Sequence, residues 1–557
     1  MRNIILLCFL LTISFCTAPE TGESAGQTTA TDQLAAFVAQ FNPSAGRGGS
    51  FADDDFSQSS FAAALDKTKK QLAELRAIDT TQLSFDDRID WKFAQSILVG
   101  RELEQENMQF WKKDPRTYMS FRGLGNVMGS PGEVKEKIDE LEKRLLLVPT
   151  QLKNGQEQLE VYVPRFQELS RFMAENGRVL FTEELKAFIE QNSPAADKLK
   201  EPAKVAMASL EAFIVFLKEE LPNLPPGDFA IGEETYNRML KGPFLLDHHA
   251  ESLWNYGWEQ FEATVAELEA VAKTIDPQKT WQELIREIKN EYPEPDQMIE
   301  AHQEWVDKSR AHILAKGLIP IPWKEQVKVV PRAEYLRKTS YYGNFSRARG
   351  LDSDSIYTAQ WMINPFEDRW DEATKQQYLV EHDWGVIIVT APHESYGGHH
   401  VQGLYQLQNP RPIRRDNGIS IFSEGWGLYN EQLMQETGFF PNERIHLRQL
   451  QLRLWRNARV VYDVGMHSGR MTYEEAIRLM EERVGFLRWA AQLEIDSATA
   501  SPGYFIGYFM GMSEILRLRT AYKAKMGEAF NLSDFHERLL KIGNMPTALM
   551  WEALMNS

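Results

Sequence analysis

Apolar residues recur at intervals of three and four along most of the chain, the spacing that gathers them on one face of an α-helix. "SPGEVKEKIDELEKRLLLVP" repeats Val, Ile and Leu in this way, with Ser130 as a candidate N-cap, Pro131 at the first helical position and Glu133 three residues after the cap. "TWQELIREI" from Thr280 and "TYEEAIRLM" from Thr472 carry Thr-x-x-Glu capping boxes. Two-residue alternation of β-branched and polar positions is confined to "GLIPIPWKEQVKVVP" and "SIYTAQWMINPF". The pattern predicts a mainly α protein with a small sheet near residues 325 to 365.

Proline and glycine interrupt the helical pattern at "LPNLPPGDFAIGEE", residues 221 to 234, which predicts a boundary between an N-terminal helical region, 32–221, and a second region, 222–557. In the second region "KQQYLVEHDWGVIIVTAPHESYGGHH" begins with helical spacing and passes into a solid apolar run, the mark of an element buried on all sides. Pro392 lies in that run, where it marks a kink or the first turn of a new helix.

Composition changes the picture at the N-terminus. Arg2 and the apolar stretch Ile4 to Ile13 form a secretory signal too short for a resident membrane span. "TISFC" resembles a bacterial lipobox, with Phe15 where that pattern has a small residue, so Cys16 is the expected lipidation site and residues 1–16 the signal. A plain signal peptide cut nearby is the alternative. The polar stretch 17–31 reads as a flexible tether. The protein is therefore expected at the bacterial cell envelope, exported and attached to the membrane through N-terminal lipid only. A formal net charge of -17 argues against nucleic acid as a partner. Cys8 and Cys16 are the only cysteines, which excludes thiol chemistry and cysteine-ligated zinc in the body of the chain.

Three of the eleven histidines, His393, His399 and His400, fall within "HESYGGHH". A zinc hydrolase needs neutral imidazole ligands and a carboxylate beside them, and His393 with Glu394 has that adjacency. The second histidine stands two residues too far along for H-E-x-x-H. In a regular helix His400 would face the same way as His393 but about 10 Å along the axis, too far to share an ion. If the backbone loops out at Gly397 and Gly398, His399 takes the second position. His399 is favoured, with His400 as the alternative.

"ISIFSEGWGLYNEQL", residues 419 to 433, reads as an amphipathic helix in which the apolar neighbours Phe422, Trp426 and Leu428 suggest that Glu424 is buried. Glu431, two turns on, shares its face and is placed to orient a ligand histidine from behind. Further candidates are Asp463 and His467, four apart on a helix, and Tyr504 and Tyr508, one turn apart in "SPGYFIGYFMG". Tyr508 or His467 would donate to a developing oxyanion. His248 and His249 read as structural.

"HESYGGHH", "EGWGLYNE", "DVGMH", "SPGYFIGYFMG" and "FHERLLKIGNMP", in that order, make the chain resemble the bacterial domain-of-unknown-function family 885. Gly397 stands for that family's proline, and Ser497 and Ala498 for its Arg-Tyr pair. The family is in turn similar to the helical gluzincin peptidases of the carboxypeptidase Taq and thimet oligopeptidase groups. That resemblance implies a large helical architecture with a central cleft, one Zn2+ held by His393, His399 and Glu424, and Glu394 as general base. The activity it implies is cleavage of short peptides or another small amide substrate. The alternatives are an amidohydrolase acting on non-peptide substrates and a non-catalytic ligand-binding lipoprotein with a degenerate metal site.

Overall fold

The computed structural model describes residues 29–41, 54–129, 132–332, 343–352 and 354–556. The signal, Cys16 and the tether up to residue 28 lie outside these residues, as do Ser130 and Pro131. The helices and strands that matter for the site are numbered here in chain order.

Helices α1 (Gln58–Arg76) and α2 (Phe85–Leu103) follow a first helix at Ala30–Gln40. Their apolar faces enter the same core as the C-terminal half, a core that runs from Ala30 to Met108 and resumes at Tyr236. Ion pairs close the contact: Arg414 Nε lies 2.5 Å from Asp90 Oδ1, and Lys92 Nζ 2.6 Å from Glu552. A second, smaller core gathers Phe56 with residues between Tyr118 and Leu221 around α3 (Val134–Gln158) and α4 (Lys200–Glu219). Its last fully buried residue is Leu221, with Leu224 packed against it. Ala30, Leu34 and Phe41 and the inner faces of α1 and α2 enter the larger core, a packing against distant helices that leaves no local signal. Helix α3 also starts at Val134 with Glu133 at the cap position, without a side-chain cap.

In the larger core α5 (Ala250–Ile275) and α6 (Met298–Ala315) lead to a three-stranded sheet of β1 (Glu325–Pro331), β2 (Asn344–Ser346) and β3 (Tyr357–Ile363). The order is β1-β3-β2, with β1 parallel and β2 antiparallel to β3. This is the small sheet the alternation predicts. On β1 Glu325, Val327 and Val329 are buried, so the pleat turns the Glu325 carboxylate toward the core.

Five helices then build the site: α7 (Trp384–Glu394), α8 (His399–Leu407), α9 (Ser420–Glu436), α10 (Glu443–His467) and, after α11 (Arg488–Thr499), α12 (Ile506–Met526). Helix α9 is buried almost all round rather than amphipathic, because α7 covers one side and α12 the other. Against α12 the backbones touch: a Cβ on Gly425 would lie 2.4 Å from Gly511, and a Cβ on Gly511 would lie 1.8 Å from the Ile421 carbonyl oxygen. The capping boxes at Thr280 and Thr472 form as expected, and His249 caps α5, in keeping with its structural reading.

Helix α10 is buried from Leu447 to its end, including Arg448, Arg453, Arg456, Arg459 and Asp463. Arg448 reaches Asp383, with Nη2 donating over 2.6 Å, and Asp383 also caps α7 by accepting from the Val386 N–H at 3.0 Å. Asp383 thus starts the helix that carries His393 and neutralises a buried guanidinium. Asp383→Ala is expected to destabilise the protein by about 3–5 kcal/mol, because it strands that charge. Denaturant unfolding followed by circular dichroism checks the value.

Candidate metal centre

Helix α7 stops at Glu394, and the chain leaves helical geometry before α8 begins at His399. Gly397 has φ +94°, and Gly398 has φ -89° and ψ -134°. Both glycines are required by close contacts. A Cβ at 397 would lie 2.1 Å from Asn430 Oδ1, and one at 398 would lie 1.8 Å from the His393 carbonyl oxygen. Helix α9 holds the break from below: Trp426 Nε1 donates to the Gly397 carbonyl at 2.6 Å and Asn430 Nδ2 to the Pro392 carbonyl at 2.9 Å. Pro392 sits in the last turn of α7 and starts no new helix.

The break brings His399 beside His393, with ring centroids 4.9 Å apart and planes at 87°. Glu424 Oε2 lies 3.4 Å from His399 Nε2 and 3.8 Å from His393 Nε2. One ligand atom from each of the three residues lies within 4.8 Å of the other two. Behind them His393 Nδ1 meets Glu431 Oε1 at 2.8 Å. This bond fixes the ring and reserves Nε2 for the cluster. Gly427 lies between the two glutamates on α9, and a Cβ there would come within 2.6 Å of the His393 ring.

Charge follows the geometry. Burial pushes the His393 imidazole down, but the neighbouring Glu424 and Glu431 carboxylates outweigh that and raise it to about 9. Burial opposes ionisation of Glu424, yet His399 and His393 hold its carboxyl well below the usual range. Two imidazoles and one ionised carboxylate make a donor set suited to zinc. The fit is supported by the glycine under His393 and the carboxylate on its far nitrogen.

The cluster faces a cavity of about 480 Å3, also lined by Glu394, Tyr504 and Tyr508. The Tyr504 hydroxyl donates to Glu424 Oε1 at 2.8 Å and lies 3.4 Å from the Tyr508 hydroxyl. Burial and the Glu424 charge push the Tyr508 phenol up, so it stays protonated and can donate. Arg459 stands 4.2 Å from the centroid of the Tyr508 ring and is itself held by Glu494 at 2.7 Å.

The bacterial family of unknown function DUF885 matches residues 45–554 of the chain. The protein belongs to this family. No curated protein matches it. Two solved structures resemble the DUF885 fold seen here. A candidate lipoprotein of unknown function from Shewanella oneidensis is 18% identical, with a TM-score of 0.79 over 95% of this chain and 100% of that one. A candidate lipoprotein from Colwellia psychrerythraea is 18% identical, with a TM-score of 0.73 over 95% and 99%.

Within this DUF885 chain the structure brings His393, Glu394, His399, Glu424 and Tyr508 to one cavity, with Glu431 directly behind. It places His400 elsewhere: the ring is buried and Nε2 meets Glu325 Oε2 at 2.8 Å. Consecutive on α8, His399 turns to Glu424 and His400 to Glu325, so the three-residue cluster does not include His400. His467 is also outside the cavity. It is fully buried, stacks on Tyr236 and meets the Ala498 carbonyl through Nε2 at 3.0 Å, so it has no path to a substrate oxygen. Asp463 accepts from the Tyr236 hydroxyl at 2.6 Å and the Gly503 N–H at 2.9 Å, and so fixes the turn before Tyr504 rather than a metal ligand. Sequence reasoning passed over Arg456, Arg459 and Glu494 on the cavity wall; the i, i+3 spacing of the two arginines on α10 is the signal that could have marked them.

These placements predict an order of metal affinities. His399→Ala should abolish tight zinc binding and Glu431→Ala should weaken it about 10–100-fold, whereas His400→Ala should change it little and lower the melting temperature instead. Competition with a chromogenic chelator measures all three. Because His393 is held near 9, zinc loading at pH 7.5 should release roughly one proton from it. Calorimetry in buffers of different ionisation enthalpy reads that proton.

Proposed function

We propose that the protein is a zinc-dependent hydrolase of the bacterial cell envelope that cleaves short peptides. The observation that carries the reading is the convergence of His393 Nε2, His399 Nε2 and the Glu424 carboxylate on a cavity that Glu394 also lines. Zinc held by those three residues supplies Lewis acidity and brings the pKa of a water at the site toward roughly 7.

The chain's own groups supply the remaining chemistry. Glu394 makes no hydrogen bond or ion pair to another described residue, so its carboxylate is available to accept a proton from the attacking water and pass it to the leaving amine. Tyr508 donates to the substrate oxygen as that oxygen gains charge, and its ring is held in place by Arg459. Tyr504 bonds the outer oxygen of Glu424, which leaves the other oxygen facing the histidines. Walls from α10, α11 and the sheet limit access to short, unfolded substrates.

Attachment at Cys16 completes the reading. Among the described residues no helix is long and apolar enough to cross a membrane, and the two similar structures carry lipoprotein descriptions. An N-terminal lipid would place the cavity at the membrane surface, outside the cytoplasm.

Glu394→Gln is the decisive variant. It should retain zinc near one equivalent and lose about 10²–10⁴-fold in peptide hydrolysis. A peptide-library digest read by mass spectrometry, with metal analysis on the same sample, tests both halves; equal cleavage by the variant overturns the mechanism.

A further inference from the structure

Arg347 follows β2 and lines the same cavity as His393, His399 and Glu424. Its guanidinium has one hydrogen-bond partner among the described residues, and that partner is neutral: Nη1 donates to Gln406 Oε1 at 2.8 Å. Gln406 is itself fixed, because its Nε2 donates to the carbonyl oxygens of Asn417 at 2.6 Å and Arg415 at 3.2 Å. The amide oxygen is therefore turned toward Arg347. The arginine stem lies against Gly403 of α8, where a Cβ would come within 2.9 Å of its Cδ. Stem and one edge of the fork are held, and the other N–H donors remain for a ligand.

No carboxylate among the described residues lies within ion-pair distance of Arg347. The other two arginines on the cavity wall do have such partners, Arg456 with Glu431 at 3.8 Å and Arg459 with Glu494 at 2.7 Å. In a chain of net charge -17, a held guanidinium without a carboxylate at a cavity wall is a place for an anion brought by the ligand. Glu394, Glu424 and Glu494 also line that wall, and the Glu424 charge reaches Arg347, so an anion is favoured only where the guanidinium lies nearer to it than these carboxylates do.

We propose that Arg347 binds a carboxylate of the substrate and so restricts this site to peptides that carry one near the cleaved bond. The assignment rests on the hydrolase reading for its purpose, but not for its measurement. Two sources supply the same chemistry: the free C-terminal carboxylate of a short peptide, or an aspartate or glutamate side chain.

The test measures binding without turnover, using the zinc-loaded full mature chain with Glu394→Gln as background. Calorimetry compares one tetra-alanine peptide as free acid and as C-terminal amide, and a third peptide amide with a single aspartate. The free acid, the aspartyl amide, or both should bind roughly tenfold or more tightly than the plain amide. Adding Arg347→Gln should erase that preference, and Arg347→Lys should restore part of it, with melting temperatures showing that each variant is folded. A preference for the free acid alone identifies the C-terminal carboxylate, and one for the aspartyl amide identifies the side chain. Equal binding of all three peptides, or a preference that survives Arg347→Gln, overturns the anchor even if the wild-type protein hydrolyses peptides. A preference lost with Arg347→Gln in a protein that hydrolyses nothing upholds the anchor and rejects the hydrolase.

Discussion

The site depends on the way α9 supports a helix break. Trp426 and Asn430 give their side-chain N–H groups to the carbonyls of Gly397 and Pro392, in a place where those carbonyls would otherwise be buried without partners. An interrupted helix exposes backbone groups that a regular helix satisfies internally, so the break persists only where another element replaces the lost bonds. The element that replaces them also carries Glu424 and Glu431. Loop geometry and ligand set are two results of one contact.

That contact needs closeness, which glycine provides on each side. Gly397 and Gly398 admit Asn430 and the α7 carbonyls, Gly427 admits the His393 ring, and Gly425 with Gly511 lets α12 lie backbone to backbone against α9. Around this centre buried polar groups are arranged in pairs: Asp383 with Arg448, Glu494 with Arg459, and Glu325 with the His400 ring. Each pair ties together elements far apart in sequence, β1 to α8 and α10 to α11 among them. Removing one member of the Asp383–Arg448 pair leaves a charge in a dry interior, so that pair specifies the packing as well as stabilising it.

Much of this centre was legible in the sequence because its chemistry is written in residue types that have few other uses together. His393, Glu394 and His399 stood out by clustering, the two glycines by interrupting a helical pattern, and Glu424 by its apolar neighbours. His467 misled because i, i+4 spacing to Asp463 says which residues share a helical face but not what that face meets. The face meets Tyr236 and the Ala498 carbonyl rather than the cavity. Arg347, Arg459 and Glu494 come from three separate elements, and only the fold brings them to one wall. The assignment of α1 and α2 to the larger core was invisible for the same reason, since their partners lie hundreds of residues away.

The Gly425–Gly511 contact also limits how the protein can move. Side chains between two helices can change rotamer and allow sliding, whereas touching backbones behave as a fixed hinge pin. His393, His399, Glu424 and Tyr508 all hang on that pinned assembly of α7, α8, α9 and α12, while Arg347 belongs to the sheet side. The ligand geometry is therefore set by that assembly alone, a rigid anvil whose shape does not depend on the sheet wall.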